Sequence, residues 1–298
     1  MSVPSIFWTV VLASVGLVCG LAAPVQAGET EEAPHFAKHF ALLDLKASHG
    51  PLGLMLDTSL NARSTLSAPG SLLLDQTYRE VGIDFAISPA LAEAGLHAEW
   101  MPLRIFRLRA EAHALSSFGV LGYTLSFPTA DAAYSDKVAD DRVEESEAGV
   151  GMRLSLQPTL QIKLGPVIAR HTTSVFWHAL GGFKGPFVHE RLYDQLQRTD
   201  GDGMLVHKSL LAYQLWDGPG DAMALLGGFQ EYVESFESGT TRQRVGALAV
   251  VVPSKTLAGF HHPRLYVQGG TNLTDRNREG EVFVEGGLGV DLWFAEQD

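Results

Sequence analysis

The last seventeen residues, "VFVEGGLGVDLWFAEQD" (282–298), show the pattern that decides the fold. Every second residue from Val282 to Phe294 is apolar or glycine. The residues between them are glutamate, glycine or aspartate in the middle and aromatic at the two ends, Phe283 and Trp293. Because alternate side chains of a strand point to opposite faces, this period of two predicts a β-strand with one apolar and one polar face.

The same alternation recurs along most of the chain, in segments of about ten residues, a usual length for a membrane-crossing strand. Helical periodicity is nearly absent, and only residues 35–47 fit a helix as well as a strand. The sequence therefore predicts an all-β protein. The strand candidates are residues 52–61, 80–88, 91–100, 104–115, 148–157, 160–168, 204–215, 222–233, 244–252 and 264–273.

The N-terminal segment predicts export. Residues 6–23 carry no charge, and Val25 and Ala27 occupy the small-residue positions of a signal-peptidase site. We therefore expect a signal peptide over residues 1–27, with a retained membrane anchor as the alternative. Cys19 is the one cysteine and lies in this segment, so we expect neither disulfides nor thiolate metal sites in the mature chain. A net charge of −12 without a basic cluster argues against nucleic acid as a partner.

The connections between the strand candidates alternate between short and long. Short turns with Gly or Pro are expected at 88–90, 101–103, 157–159 and 216–221, and long polar loops at 127–147, 181–203 and 237–243. The acidic run in 127–147 is typical of a solvated loop. No composition change marks a linker between two domains. We therefore expect a single domain.

The two faces of the strands differ in a way that suits a membrane barrel. The polar face carries small residues and charges of both signs, as a narrow lumen requires. The apolar face is rich in Ala, Val and Leu, with Trp100, Trp216, Trp293 and Phe294 near strand ends, as lipid and its two interfaces require. A membrane also forbids open sheet edges, so such strands must close into a barrel.

Taken together, these features resemble Gram-negative outer-membrane β-barrel proteins, as a class. The resemblance implies an antiparallel up-and-down transmembrane β-barrel of about 12 strands, with a range of ten to fourteen. Residues 28–50 are then an N-terminal periplasmic segment or the first strand, and residues 51–298 the barrel domain. A soluble, exported β-protein is the alternative. The class usually ends on an aromatic residue, whereas "AEQD" follows Phe294 here.

The resemblance also implies surroundings and partners. The location is the cell outer membrane, reached by signal-peptide-directed export. The expected partners are outer-membrane lipid and lipopolysaccharide, the barrel assembly machinery, and small solutes or ions. No cofactor is expected.

Charged residues of the polar faces concentrate on four neighbouring strand candidates. Opposite charges on adjacent strands can pair, and unpaired buried charges are costly, so one interpretation is a network that fills and stiffens the barrel. The other interpretation is a pore-lining region that selects ions. The lumen-facing cluster comprises Glu80, Asp84, Glu93, His97, Glu99, Arg107, Arg109, Glu111, His113 and Arg153.

One short motif points to chemistry on the apolar face. In "HKS", His207 and Ser209 share a face, so the hydroxyl can lie near an imidazole base. Some outer-membrane barrels that hydrolyse lipids use a Ser/His pair of this spacing. No Asn- or Gly-rich segment follows, and the sequence assigns no group to orient the histidine. Adjacent His261 and His262 point to opposite sides of an extended chain, and we expect no metal site.

These observations predict a non-enzymatic barrel, either a small pore or a closed structural barrel. A lipid hydrolase using Ser209 and His207 is one alternative. A surface-binding protein that acts through its outer loops is the other.

Overall fold

The computed structural model describes residues 38–49, 53–66, 71, 73–122, 124–190, 193–218, 222–254, 256–257 and 260–296. The predicted signal peptide and residues 28–37 lie outside the described residues. So does the side chain of Phe294.

Strands dominate the described chain, and one short helix interrupts them. No helix among the described residues is long and apolar enough to cross a membrane. The helix α1 spans Asp136–Asp141 and is followed by a 3-10 turn at Val143–Glu145. The strands are β1 Lys38–His49, β2 Gly53–Thr65, β3 Tyr78–Ile87, β4 Leu91–Leu103, β5 Phe106–Phe118, β6 Ser126–Phe127, β7 Ala148–Leu164, β8 Val167–Gly181, β9 Phe187–Glu190, β10 Gln195–Arg198, β11 Asp202–Asp217, β12 Met223–Ser235, β13 Thr241–Val252, β14 Thr256–Leu257, β15 Phe260–Asp275 and β16 Val282–Glu296.

Twelve long strands form a closed antiparallel barrel. Neighbours in sequence pair in the order β1, β2, β3, β4, β5, β7, β8, β11, β12, β13, β15 and β16. The ring closes because β16 pairs along its length with β1, from Lys38 opposite Glu296 to His49 opposite Val284. This confirms the predicted fold class and the predicted strand number. It also places β1, within the segment 28–50, inside the barrel wall.

The barrel has two different ends. The terminal end holds the start of β1, the end of β16 and the tight connections at 104–105 and 165–166. The loop end holds the connections 119–147, 182–201, 236–240 and 276–281. Strand direction alone fixes this division, since consecutive strands are antiparallel.

The turn expected at 157–159 was wrong. Residues 148–164 form one strand, β7, and the turn comes at Gly165, whose positive φ of 57° suits glycine. Pro158 lies inside β7, opposite Leu108 of β5. Proline has no N–H to donate, and the β7–β8 pairing skips residues 157 and 158. A strand can therefore hold this proline at a local break in one ladder.

The last strand shows the two faces of the wall. On the outer face Leu288 is 56% exposed. On the inner face, a Cβ at Gly289 would lie 2.5 Å from Nε of Arg264 and would overlap the Asp44 carboxylate, so any larger residue would require that ion pair to shift. Small residues on this face thus make space for larger charged neighbours.

The aromatic rings at the two ends of β16 lie inside the barrel. Phe283 is 3% exposed and packs edge-on against Phe229, while Trp293 stacks on the buried Phe40. The interpretation of Trp293 as part of an outer aromatic girdle was wrong. Its position on the polar face of the alternation, in phase with Asp291, already placed it inside.

A folded cap covers the loop end. It consists of the connections 119–147, 182–201 and 276–281, with β6, β9 and β10 forming a small antiparallel sheet. Its apolar core contains Leu125, Phe127, Tyr134, Ala139 and Leu196, each 3% exposed or less. The acidic loop expected to be solvated is therefore anchored by its own core.

Candidate functional site

Charged side chains line the interior of the barrel, and one part of them forms a paired network on β2 to β5 and β7. At its centre His97 is 3% exposed, and its Nδ1 lies 2.7 Å from an Asp84 carboxylate oxygen. Arg109 bridges two strands, with Nη2 3.1 Å from Asp84 and Nε 2.5 Å from Glu111. Each carboxylate here therefore meets a positively charged or titratable partner.

The rest of the paired network repeats this matching. Arg153 makes a two-pronged contact with Glu93, at 2.5 and 3.2 Å, and both side chains are buried. Such a bidentate pair is among the strong hydrogen-bonded arrangements in proteins. Further pairs include Arg63 with Glu80 at 2.6 Å, Arg107 with Glu99 at 3.6 Å and His113 with Glu93 at 3.5 Å.

All ten residues of the cluster predicted from the sequence lie in this network. The network adds Arg63, which the sequence analysis missed. Arg63 follows the alternation of β2 in phase with Asp57 and Asn61, and this phase is the signal that identifies it.

Asp84, Glu111 and His113 present ligand atoms within 4.8 Å of one another, a spacing that a metal ion can bridge. Arg109 already contacts both carboxylates. A bound cation would meet this guanidinium at close range, so the group belongs to the ion-pair network rather than to a metal centre.

The part of the lumen wall formed by β8, β11, β12 and β13 has a different charge balance. We call it the cationic wall; it consists of Arg170, Lys208, Arg242, Arg244 and Glu231. The buried Glu231 carboxylate serves three cations, at 2.9 Å from Lys208, 2.9 Å from Arg242 and 2.7 Å from Arg244. Arg170 is exposed to the lumen, and it has no ion pair or hydrogen bond within the part of the chain that the structure describes.

Two cavities lie in the lumen beside these two regions. One, of about 320 Å³, borders Asp84, Glu93, Arg109 and Arg153 of the paired network. The other, of about 370 Å³, borders Arg170 and Lys208 of the cationic wall. The barrel interior thus retains open space between its charged side chains.

The mouth of the barrel at the loop end is closed by one buried acid. Asp194, at the tip of the cap connection 182–201, is 1% exposed. Its carboxylate lies 2.5 Å from Nε of Arg278 and 3.6 Å from Nη1 of Arg242, and 2.9 Å from Nε2 of His189. Arg278 in turn holds Asp136 of α1 at 2.7 Å. One cluster therefore ties all three cap connections to the barrel wall at Arg242.

The local conformation and electrostatics of Asp194 fit this role. Its φ of 54° lies in the left-handed region, which aspartate tolerates better than most residues. Burial opposes its ionisation, but the His189 hydrogen bond and the charges of Arg242 and Arg278 outweigh burial and hold the carboxyl pKa well below its ordinary value. Asp194 is therefore an anion at neutral pH.

The predicted Ser/His pair on the outer face is arranged differently from the expectation. Ser209 Oγ lies 2.9 Å from Nδ1 of His171 on the neighbouring strand β8, and not against His207. His207 Nδ1 instead lies 3.0 Å from Thr173 Oγ1, and Thr173 lies 3.3 Å from His171 Nε2. His171 was missed because the β8–β11 register, which sets it opposite Ser209, cannot be deduced from either strand alone.

No protein-family model matches the sequence, and a search of curated proteins gives no match. Solved structures do match. The beta domain of the Bordetella autotransporter BrkA is 12% identical with a TM-score of 0.42, covering 86% of this chain and 99% of that chain. Outer-membrane expressed OmpT of Vibrio cholerae is 10% identical with a TM-score of 0.36, covering 86% and 97%. A bacterial polysaccharide outer membrane secretin is 12% identical with a TM-score of 0.36, covering 86% and 99%.

The strand pairing defines the class of the fold. A closed ring of twelve antiparallel strands, apolar outside and charged inside, is an outer-membrane β-barrel. This fold indicates an outer-membrane location.

Proposed function

We propose that the protein is a small pore for ions or small solutes, closed at the loop end by its cap. The signal peptide predicted at residues 1–27 directs its export, and the barrel assembly machinery inserts it among outer-membrane lipid and lipopolysaccharide. A closed structural barrel would have the same fold, so the fold alone does not distinguish it from a pore.

The observation that carries the proposal is the way the mouth is shut. A barrel with a purely structural role can fill its lumen with side chains, as small barrels commonly do. Here two cavities remain in the lumen, and the closure above them depends on the Asp194 ion-pair cluster. Ion pairs that tie a loop to a wall form a closure that can open, because loops are the least stable parts of a fold.

The test is single-channel conductance of the refolded mature chain in planar bilayers. We expect the wild type to conduct rarely and Asp194→Asn to open in discrete steps far more often. Asp141→Asn is the matched control, because Asp141 also belongs to the cap but is exposed, and among the described residues its ion-pair partner is Lys137 on the same helix α1. Heat-modifiable migration on gels checks that each variant is folded.

A second variant keeps the test decisive. Deleting residues 128–146 removes α1 and Asp136, the partner of Arg278. If neither this deletion nor Asp194→Asn conducts although both are folded and inserted, the protein is a closed structural barrel.

Hydrolysis of a lipid ester is the second candidate function, and the contact of Ser209 with His171 favours it. In such a reaction the Ser209 hydroxyl attacks the ester carbonyl and passes its proton to His171. The carbon–oxygen bond to the alcohol then breaks, the alcohol leaves with that proton, and water hydrolyses the acyl-serine to release the fatty acid and restore the Ser209 hydroxyl. Both residues lie on the apolar outer face of the barrel wall, where lipid is within reach.

Ser209→Ala and His171→Gln test this candidate with phospholipid and lipopolysaccharide as substrates. We expect both variants to abolish acyl release, and His207→Gln to reduce it less, because His207 contacts Thr173 instead of Ser209. Absence of acyl release by the wild type refutes the hydrolase.

A further inference from the structure

The cavity beside the cationic wall lies directly under the closed mouth. Strands β8, β11 and β12 form its sides, and Tyr193 of the cap descends into it and packs against Phe176, with ring centroids 5.0 Å apart. Its volume of about 370 Å³ lies within the range of small-molecule sites in proteins.

The charges around this cavity are unbalanced. Glu231 is the only carboxylate among the described residues that line it, and Lys208, Arg242 and Arg244 all contact this one group, although Arg242 also pairs with Asp194 of the cap. Arg170 adds a further positive charge, and it forms no direct ion pair or hydrogen bond with any described residue. In the paired network, by contrast, Arg153 is the only arginine that pairs with Glu93 among the described residues, and it does so through two hydrogen bonds. An excess of cations around a sheltered space attracts an anion.

The uncharged lining adds a second property. Phe176, Tyr193 and Phe229 bring aromatic faces to the cavity, and Thr172 and Gln268 bring hydrogen-bonding groups. Small-molecule sites commonly combine apolar walls with a few polar groups that fix orientation. A bare inorganic ion would use the charge but not these rings.

We propose that this cavity is a binding site for a small organic anion, with a carboxylate or phosphate held by Arg170 and Lys208 and an apolar or aromatic body packed against Phe176 and Phe229. This site adds a ligand to the proposed pore function. It rests on that function in one respect, because the anion would enter through the pore. Binding itself does not depend on conductance, so the two proposals fail separately.

The experiment uses 4-fluorobenzoate as the anion and 4-fluorobenzyl alcohol as its uncharged counterpart. Fluorine NMR of either probe with the refolded, full mature chain in detergent micelles measures the dissociation constant, with empty micelles as the blank. We expect the anion to bind at least ten times more tightly than the alcohol, and its binding to weaken as salt screens the cations.

Variants locate the site. Arg170→Gln should weaken binding of 4-fluorobenzoate by about tenfold or more, and Lys208→Gln should weaken it as well. Lys163→Gln is the matched control, because Lys163 is an exposed cation near the terminal end of β7 and does not line the cavity. Equal binding by wild type and Arg170→Gln, or equal binding of anion and alcohol, overturns the proposal. Conductance has no part in this readout, so a barrel that never conducts can still bind the anion.

Discussion

The paired network and the cationic wall occupy the same lumen and use the same residue types, but they differ in stoichiometry. In the paired network, five carboxylates meet four arginines and two histidines, and Arg153 and Glu93 form a buried bidentate pair. In the cationic wall, Glu231 is divided among three cations and Arg170 has no partner in the described chain. Matched charges stiffen a wall, whereas surplus charge leaves a wall able to bind something else.

The largest expected effect comes from breaking a matched pair. Glu93→Gln leaves the buried Arg153 without its counter-charge, and we expect the free energy of unfolding to fall by about 3–5 kcal/mol. Urea unfolding in lipid vesicles, followed by tryptophan fluorescence, measures it. The double variant Glu93→Gln, Arg153→Met should recover part of the loss, because it removes the orphaned charge. If Glu93→Gln were as stable as the wild type, Glu93 would not be needed to balance the buried charge of Arg153.

A smaller effect is expected from Glu231→Gln in the cationic wall. The three cations then repel one another, and we expect a loss of about 2 kcal/mol at low salt. Added salt should reduce the loss, because Lys208 is half exposed and therefore open to screening. The same salt series on Glu93→Gln is the control, since that pair is buried. Equal salt sensitivity of the two variants would remove the distinction between the regions.

The cap gives a third contrast, through pH. The Asp194 pKa is lowered in the folded protein, so its stabilisation is fully present above the unfolded value near 4 and declines as pH falls below it toward the folded pKa. We expect amide exchange of residues 193–198, corrected for intrinsic rates, to report a closed cap from pH 7 to about pH 4.5 and progressive opening below pH 4. Asp194→Asn should lack this acid dependence. Opening of the wild-type cap between pH 7 and 5 would mean that another group controls it.

The smallest effect is expected at the unpaired arginine. Arg170→Gln breaks no ion pair among the described residues, so its free energy of unfolding should stay within about 0.5 kcal/mol of the wild type. Arg153→Gln in the matched pair should cost several times more, by the same urea method. If the two arginine variants are equally destabilised, Arg170 contributes to the structure as Arg153 does.

The sequence predicted much of the barrel because period two is a local property. Alternation in single segments identified most of the strands, the class of the fold and ten of the eleven residues of the paired network. Pro158 led to the wrong prediction of a turn at 157–159. Proline is common in turns, and the residue types alone do not show that it lies in a strand at a local break in one ladder.

The remaining site residues depend on relations that a single segment does not contain. His171 meets Ser209 through the register of two strands, and Arg170 is distinctive because of an absent partner. Asp194 lies in a loop without periodicity, and its role arises from Arg242 and Arg278, which are distant in sequence. The alternation of β13 could have predicted that Arg242 and Arg244 face the lumen. It could not have predicted that they share the Glu231 carboxylate.

The pairing of β1 with β16 has a consequence for how the chain assembles. The ladder joins Lys38 to Glu296, at opposite ends of the described chain, so it forms the contact of highest sequence separation in the barrel. Such contacts form late, because the entropy of closing a long loop must be overcome before they gain any stabilisation. Until that last ladder forms, β1 and β16 each have one edge with unpaired backbone N–H and C=O groups, and these edges can pair with strands of other chains. We therefore expect the chain to remain an open, aggregation-prone sheet during assembly. Pairing of β1 with β16 would be the final step, and it would satisfy the backbone hydrogen-bonding groups of both edges at once.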